Sequence, residues 1–143
     1  MSKKENMEAL LSKARRTKFF VYLASPLTAF LPEVESNRLE QTADALAILT
    51  KRYPDIIFFC PVLNSESWEM RDIKPGVGWY LYDAEFLKKV DYMLLLQLEG
   101  WDESFGIDFE QRVCKENDIL IDYCTLDNVH DKIFPWEDEW VPF

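Results

Sequence analysis

Two carboxylates in this sequence sit where a surface helix does not normally put them. Glu110 has Gly106, Ile107, Val113 and Cys114 three and four residues away, and Asp83 has Trp79, Tyr80, Phe86 and Leu87. Ordinary acids on the same segments make the contrast: Glu85 faces Lys88 and Lys89, and Asp108 adjoins Arg112. Withdrawing a carboxylate from water costs on the order of several kcal/mol unless it is paired, and catalytic acids, bases and nucleophiles are where such perturbed groups collect. Both acids fall on predicted helices flanking one predicted strand, which invites a functional reading. A structural reading stands beside it. Asp83 caps a helix if one begins there, in which case Trp79 and Tyr80 are not its helical neighbours; separately, Glu110 can be a purely structural buried acid.

Three further sets of residues border this pair. The segment Val21-Tyr22-Leu23-Ala24-Ser25-Pro26 ends a predicted strand and leaves a phenol and a hydroxyl at its carboxyl end, although Tyr22 serves equally well as a core aromatic. Ser104 can cap the helix that carries Glu110, and Gly106 lets a ligand approach that backbone, a weak anion site. Trp68, Trp79, Tyr80 and Trp101 offer flat faces for a ring to stack on, with Trp101 preferred because it lies in a loop.

The elements that must hold these residues follow from periodicity. Apolar runs at 19–24, 56–59, 92–98 and 119–123 alternate with helical patterns at 38–51, 79–89 and 105–116. That order predicts an α/β fold, a flavodoxin-like three-layer sandwich with a mostly parallel central sheet of about five strands. Ligands of such sheets lie beyond the carboxyl ends of the strands, so functional residues are expected just after Ala24, Phe59 and Leu98. The stretch 60–78, with two prolines and two glycines, reads as a long loop covering the site.

One domain fits a chain of 143 residues. Residues 1–17 form a basic amphipathic helix, 18–125 the α/β domain, and 126–143 an acidic aromatic segment that packs on the domain or on a partner subunit. Sixteen Lys and Arg stand against 26 Asp and Glu, a net charge of -10, which argues against general nucleic-acid binding. Six bases against two acids in 1–18 suggest that this helix packs on the acidic body or on a partner. Apolar runs are too short for a membrane helix and no signal core follows Lys3 and Lys4, so a cytoplasmic protein is expected. Three scattered cysteines and one histidine point away from a disulfide framework and from a metal site.

Several of these segments together resemble the nucleoside 2-deoxyribosyltransferase superfamily, most closely its phage and bacterial DUF1937 branch. The resemblance rests on Val21 to Pro26, Arg38, Cys60-Pro61-Val62, Trp79 to Asp83, Asp91, and Gly100-Trp101-x-x-Ser104-x-Gly106-x-x-x-Glu110. It implies a flavodoxin-like fold and chemistry at an N-glycosidic bond. By that likeness Glu110 attacks C1′ of a deoxyribose and carries the glycosyl group, Asp83 handles the departing base and its proton, and Tyr22 orients Glu110. Ser25, Arg38, Trp79, Gly100, Trp101, Ser104 and Gly106 would bind substrate, a nucleoside or nucleoside monophosphate, without a cofactor or metal. The likeness also implies a homo-oligomer, a dimer or larger, with the tail 136–143 as a contact. Departures are local: Gln111-Arg112-Val113 follows Glu110 without a glycine, and no arginine follows Ser25. A phosphate would therefore rely on Ser25, Ser104, backbone amides and Arg38.

Such a division of labour suits retaining glycosyl transfer, which needs one ionised and one protonated carboxyl. Glu110, near a helix start, is expected to be the anion, and Asp83, among aromatic rings, the acid. The competing reading is a nucleotide-binding sensor or regulatory module that keeps the pocket without turnover.

Overall fold

Continuous apolar runs can be buried on both faces only in a parallel sheet covered on both sides, and two strands of this chain are such runs. The structure, a computed structural model, describes residues 2–16 and 18–135. Strands β1 (Phe20–Ala24), β2 (Ile57–Phe59), β3 (Tyr92–Leu96) and β4 (Leu120–Cys124) form one sheet in the order β2-β1-β3-β4, with every pairing parallel. Four strands, not about five, complete the sheet among the described residues. This is the doubly wound, flavodoxin-like order, with its switch point between β1 and β3. The Asp91 carboxylate accepts from the Phe20 amide at 2.9 Å and pins the start of β3 against β1.

Alternation along the strands divides the core in two. Val21, Leu23, Tyr92, Leu94 and Leu96 face helix α2 (Pro32–Arg52), meeting its Ala45 and Leu49. Tyr22, Ala24, Met93 and Leu95 face α4 (Trp79–Leu87) and α5 (Phe105–Glu116), which contribute Ala84, Leu87, Ile107, Val113 and Cys114. Tyr22, Asp83 and Glu110 thus belong to elements of one layer.

Local chemistry explains where the helices begin. Ser104 caps α5 by accepting from the Ile107 amide at 3.3 Å. Pro32 occupies the first turn of α2, followed by Glu33 and Glu35, so that helix starts six residues before the apolar period becomes visible at Arg38. Similarly, Pro61 opens α3 (Pro61–Glu69) inside the stretch expected to be a loop. There proline marks a helix start, and the apolar period is faint because only Val62 and Leu63 reach the core.

The ends of the chain differ. Ser2 caps α1 (Lys3–Ala14), but no residue of that helix is buried and Met7, Leu10 and Leu11 are exposed. It therefore does not bury a face against the acidic body. Of the C-terminal segment, Phe134 is buried against Tyr53, Phe58 and Tyr92, with ring centroids 5.0, 6.4 and 5.3 Å away. The expected contacts of 136–143 fall outside the described residues. No helix among those described is long and apolar enough to cross a membrane.

Candidate functional site

Where β1 and β3 part toward opposite crossovers, the carboxyl ends of the strands leave a cavity of about 1030 Å³. It is at the large end of small-molecule pockets. Ser25 and Thr28 come from the loop after β1, Ser65 and Glu66 from α3, Trp79 and Asp83 from α4, and Ser104, Gly106 and Glu110 from the start of α5. Helix α4 begins after Gly78, whose positive φ of 85° turns the chain into it. Asp83 is therefore mid-helix and not a cap, and its apolar neighbours are the ones that helical spacing gives. Tyr22 is fully buried and does not line the cavity; it stands on the same sheet face as α4 and α5.

Three polar atoms mark this place. Tyr22 Oη, Asp83 Oδ1 and Glu110 Oε2 are buried without a hydrogen-bond partner. Buried polar groups are otherwise almost always satisfied, so two orphaned carboxylate oxygens on residues that line one cavity mark it as a candidate binding site. Burial pushes the Glu110 carboxyl up to about 8, the Tyr22 phenol pulls it down, and the Asp83 charge raises it further. Burial also lifts Asp83, to about 6. The phenol of Tyr22 is itself raised, by burial first and then by the charges of Glu110 and Asp83. Tyr22 acts on Glu110 at close range without a hydrogen bond of ordinary geometry.

The expected anion is therefore raised as well: burial favours the protonated form of Glu110 as it does that of Asp83. Glu110 lies in the second turn of α5, beyond the first turn where the helix dipole favours an anion, and apolar surroundings decide its protonation.

Other expected residues divide between the cavity and its supports. Ser25, Trp79, Ser104 and Gly106 line it. Ser25 is hydrogen-bonded at 3.0 Å to the buried hydroxyl of Thr42, which fixes its position. The Trp79 indole donates to the Glu69 carboxylate and packs 5.4 Å from Trp68. A methyl at Gly106 would meet the Tyr80 ring at 3.6 Å, an ordinary contact, so packing alone does not demand glycine there.

Arg38, Gly100 and Trp101, also expected to bind substrate, are not part of the lining. The Arg38 guanidinium donates to the carbonyls of Thr28 and Glu99, both at 2.8 Å, and of Leu27 at 3.3 Å. It ties the loop after β1 to the loop after β3. Gly100, with φ of 84°, lets it pass: a Cβ there would fall 2.6 Å from Arg38 Nη2. Trp101 begins a short 3-10 turn (Trp101–Glu103) that folds the indole back toward Tyr123, 6.0 Å away, and into the core under α5. Sequence reasoning passed over Phe105, Phe109, Glu66 and Glu69, which do line the cavity. The signal for the last two is Pro61 as a helix start.

Arg38→Met is expected to lower stability by about 1 to 2 kcal/mol, because three carbonyls lose a charged donor. Thermal unfolding would register this as a fall of roughly 3 to 8 °C in Tm. An unchanged Tm would show that the two loops hold together without it.

Among the described residues no three His, Cys, Asp or Glu side chains converge as a metal cluster would require. No protein-family model matches the chain, and no curated protein matches it significantly.

Proposed function

We propose that the chain is an enzyme acting on an N-glycosidic bond, a nucleoside 2-deoxyribosyltransferase or hydrolase in which Glu110 carries the sugar. The observation that supports this most is the pair of unsatisfied carboxylate oxygens, from Asp83 and Glu110, on one cavity, with the unsatisfied Tyr22 phenol on the same face of the sheet. The motif likeness described above adds the bond type. In the reaction, the Glu110 carboxylate bonds to C1′ as the bond from C1′ to the base nitrogen breaks, and Asp83 gives its proton to that nitrogen. Water or a second base then attacks C1′, releases Glu110 and returns a proton to Asp83. One proton serves the pair throughout.

That proton is shared by two raised acids in the free protein and must stand on Asp83 for reaction. A bound nucleoside favours that placement. Positive charge developing at the sugar stabilises the Glu110 anion, the Tyr22 phenol donates to it, and the base nitrogen accepts from Asp83. The two acids titrate as a pair, so activity requires the singly protonated pair. Below about 6 both carboxyls are protonated and no nucleophile remains, whereas above about 8 both are ionised and no acid remains. A bell-shaped kcat/KM profile with limbs near these values is expected. A flat profile between pH 5 and 9 would remove the shared-proton scheme.

The function itself is tested by incubating the protein with a panel of deoxynucleosides and deoxynucleoside monophosphates, each with and without a second free base. Chromatography should detect released base, or a new nucleoside when an acceptor is present. Binding without release from any member would favour the regulatory module instead.

A further inference from the structure

We propose that the cavity takes nucleosides without a 5′-phosphate and that its carboxylates reject the phosphorylated form. The inference rests on the N-glycosidic reading and narrows its substrate. Glu35, Glu66, Glu69, Asp83, Glu103 and Glu110 line the cavity, and no Lys, Arg or His does. The residues outside the description, 1, 17 and 136–143, include no Lys, Arg or His either.

Nearby cations are committed elsewhere. Arg38 is held by three carbonyls. Arg71 donates back to the Ser67 carbonyl at 3.1 Å, and Arg112 pairs with Asp108 at 3.2 Å. Helix starts are the other common home of phosphate, and three of them border the cavity. Each is compromised: α3 opens on Pro61, which has no N–H; α4 opens on Trp79, whose indole holds the Glu69 carboxylate; α5 has Glu103 just before its cap Ser104, which already accepts from the Ile107 amide. A phosphate dianion here would meet several like charges and no cation in the lining. What remains suits an uncharged ligand. Ser25, Thr28 and Ser65 present hydroxyls for hydrogen bonding, and Trp79, Tyr80 and Phe109 present rings for a base.

The test is equilibrium binding of a deoxynucleoside and its matched 5′-monophosphate to the full wild-type chain, by calorimetry at low salt and at about 0.5 M salt. Base release is followed in the same samples. The nucleoside should bind at least about tenfold more tightly at low salt, and the gap should shrink with salt and in the E66Q/E103Q double variant. The single variant E66Q, with circular dichroism to verify folding, guards against a misfolded double variant. A monophosphate bound equally well or better would overturn the proposal. So would a gap unmoved by both salt and charge removal, since exclusion would then be steric. Failure of both ligands to bind at millimolar concentration would overturn it together with the glycosidic reading. Binding in the expected order without base release would leave charge selection standing and remove the enzymatic reading alone.

Discussion

Glu110→Gln is expected to abolish base release, by about 10⁴-fold or more, while making the folded protein more stable in alkaline solution. The amide keeps the shape of the side chain but cannot bond to C1′, so binding of nucleoside should survive. Stability moves the other way because burial raises the carboxyl from 4.5 to about 8 in the folded protein. Between those values the folded state retains a proton that the unfolded state has lost, so stability falls as pH rises. The penalty is absent below about pH 4.5 and complete above about pH 8. Glutamine never incurs it, and the variant should gain on the order of 5 kcal/mol at pH 9 and nothing near pH 4. Chemical unfolding at the two pH values measures the difference. A variant equally or less stable at pH 9 would show that Glu110 is not the strained acid described above.

Asp83→Asn is expected to slow release of ordinary bases by about 10²- to 10⁴-fold, the usual worth of a general acid. The loss should depend on the base. A substrate whose leaving group departs without protonation should react almost as fast as with wild type, whereas adenine or thymine, which need a proton, should suffer fully. Removing Asp83 also removes a neighbouring negative charge and the acid whose ionisation sets the alkaline limb, so the profile should become a single rise as Glu110 ionises below about pH 8. Equal losses for all leaving groups would make Asp83 a positioning residue for base or sugar. The comparison of kcat/KM across leaving groups is therefore more informative than the size of any single effect.

Much of this arrangement is legible in the chain because strong local signals agree with the final packing. Val21 to Ala24 and Tyr92 to Leu96 are apolar without interruption, as doubly covered strands must be, and Ser104 marks the α5 start. Asp83 and Glu110 stand out because their helical neighbours are apolar, and they prove to share one cavity. Less is legible where meaning depends on a distant partner. Arg38 has the look of a phosphate ligand until the carbonyls of 27, 28 and 99 come together around it. Trp101 looks like an exposed platform because a 3-10 turn that reverses it has no period of its own. Least accessible is that burial raises Glu110 as well as Asp83. Helix spacing tells which acids turn inward, but the depth of burial depends on strands β1 and β3 beneath them.

The most direct measurement is mass spectrometry of the protein after reaction with a 2′-fluorinated deoxynucleoside, whose electron-poor sugar slows breakdown of a glycosyl ester. The expected result is one added sugar mass, with the free base in solution and the modification mapped to the peptide bearing Glu110, and no adduct on Glu110→Gln. An adduct on another residue, or steady base release with an unmodified protein, would contradict the role assigned to Glu110.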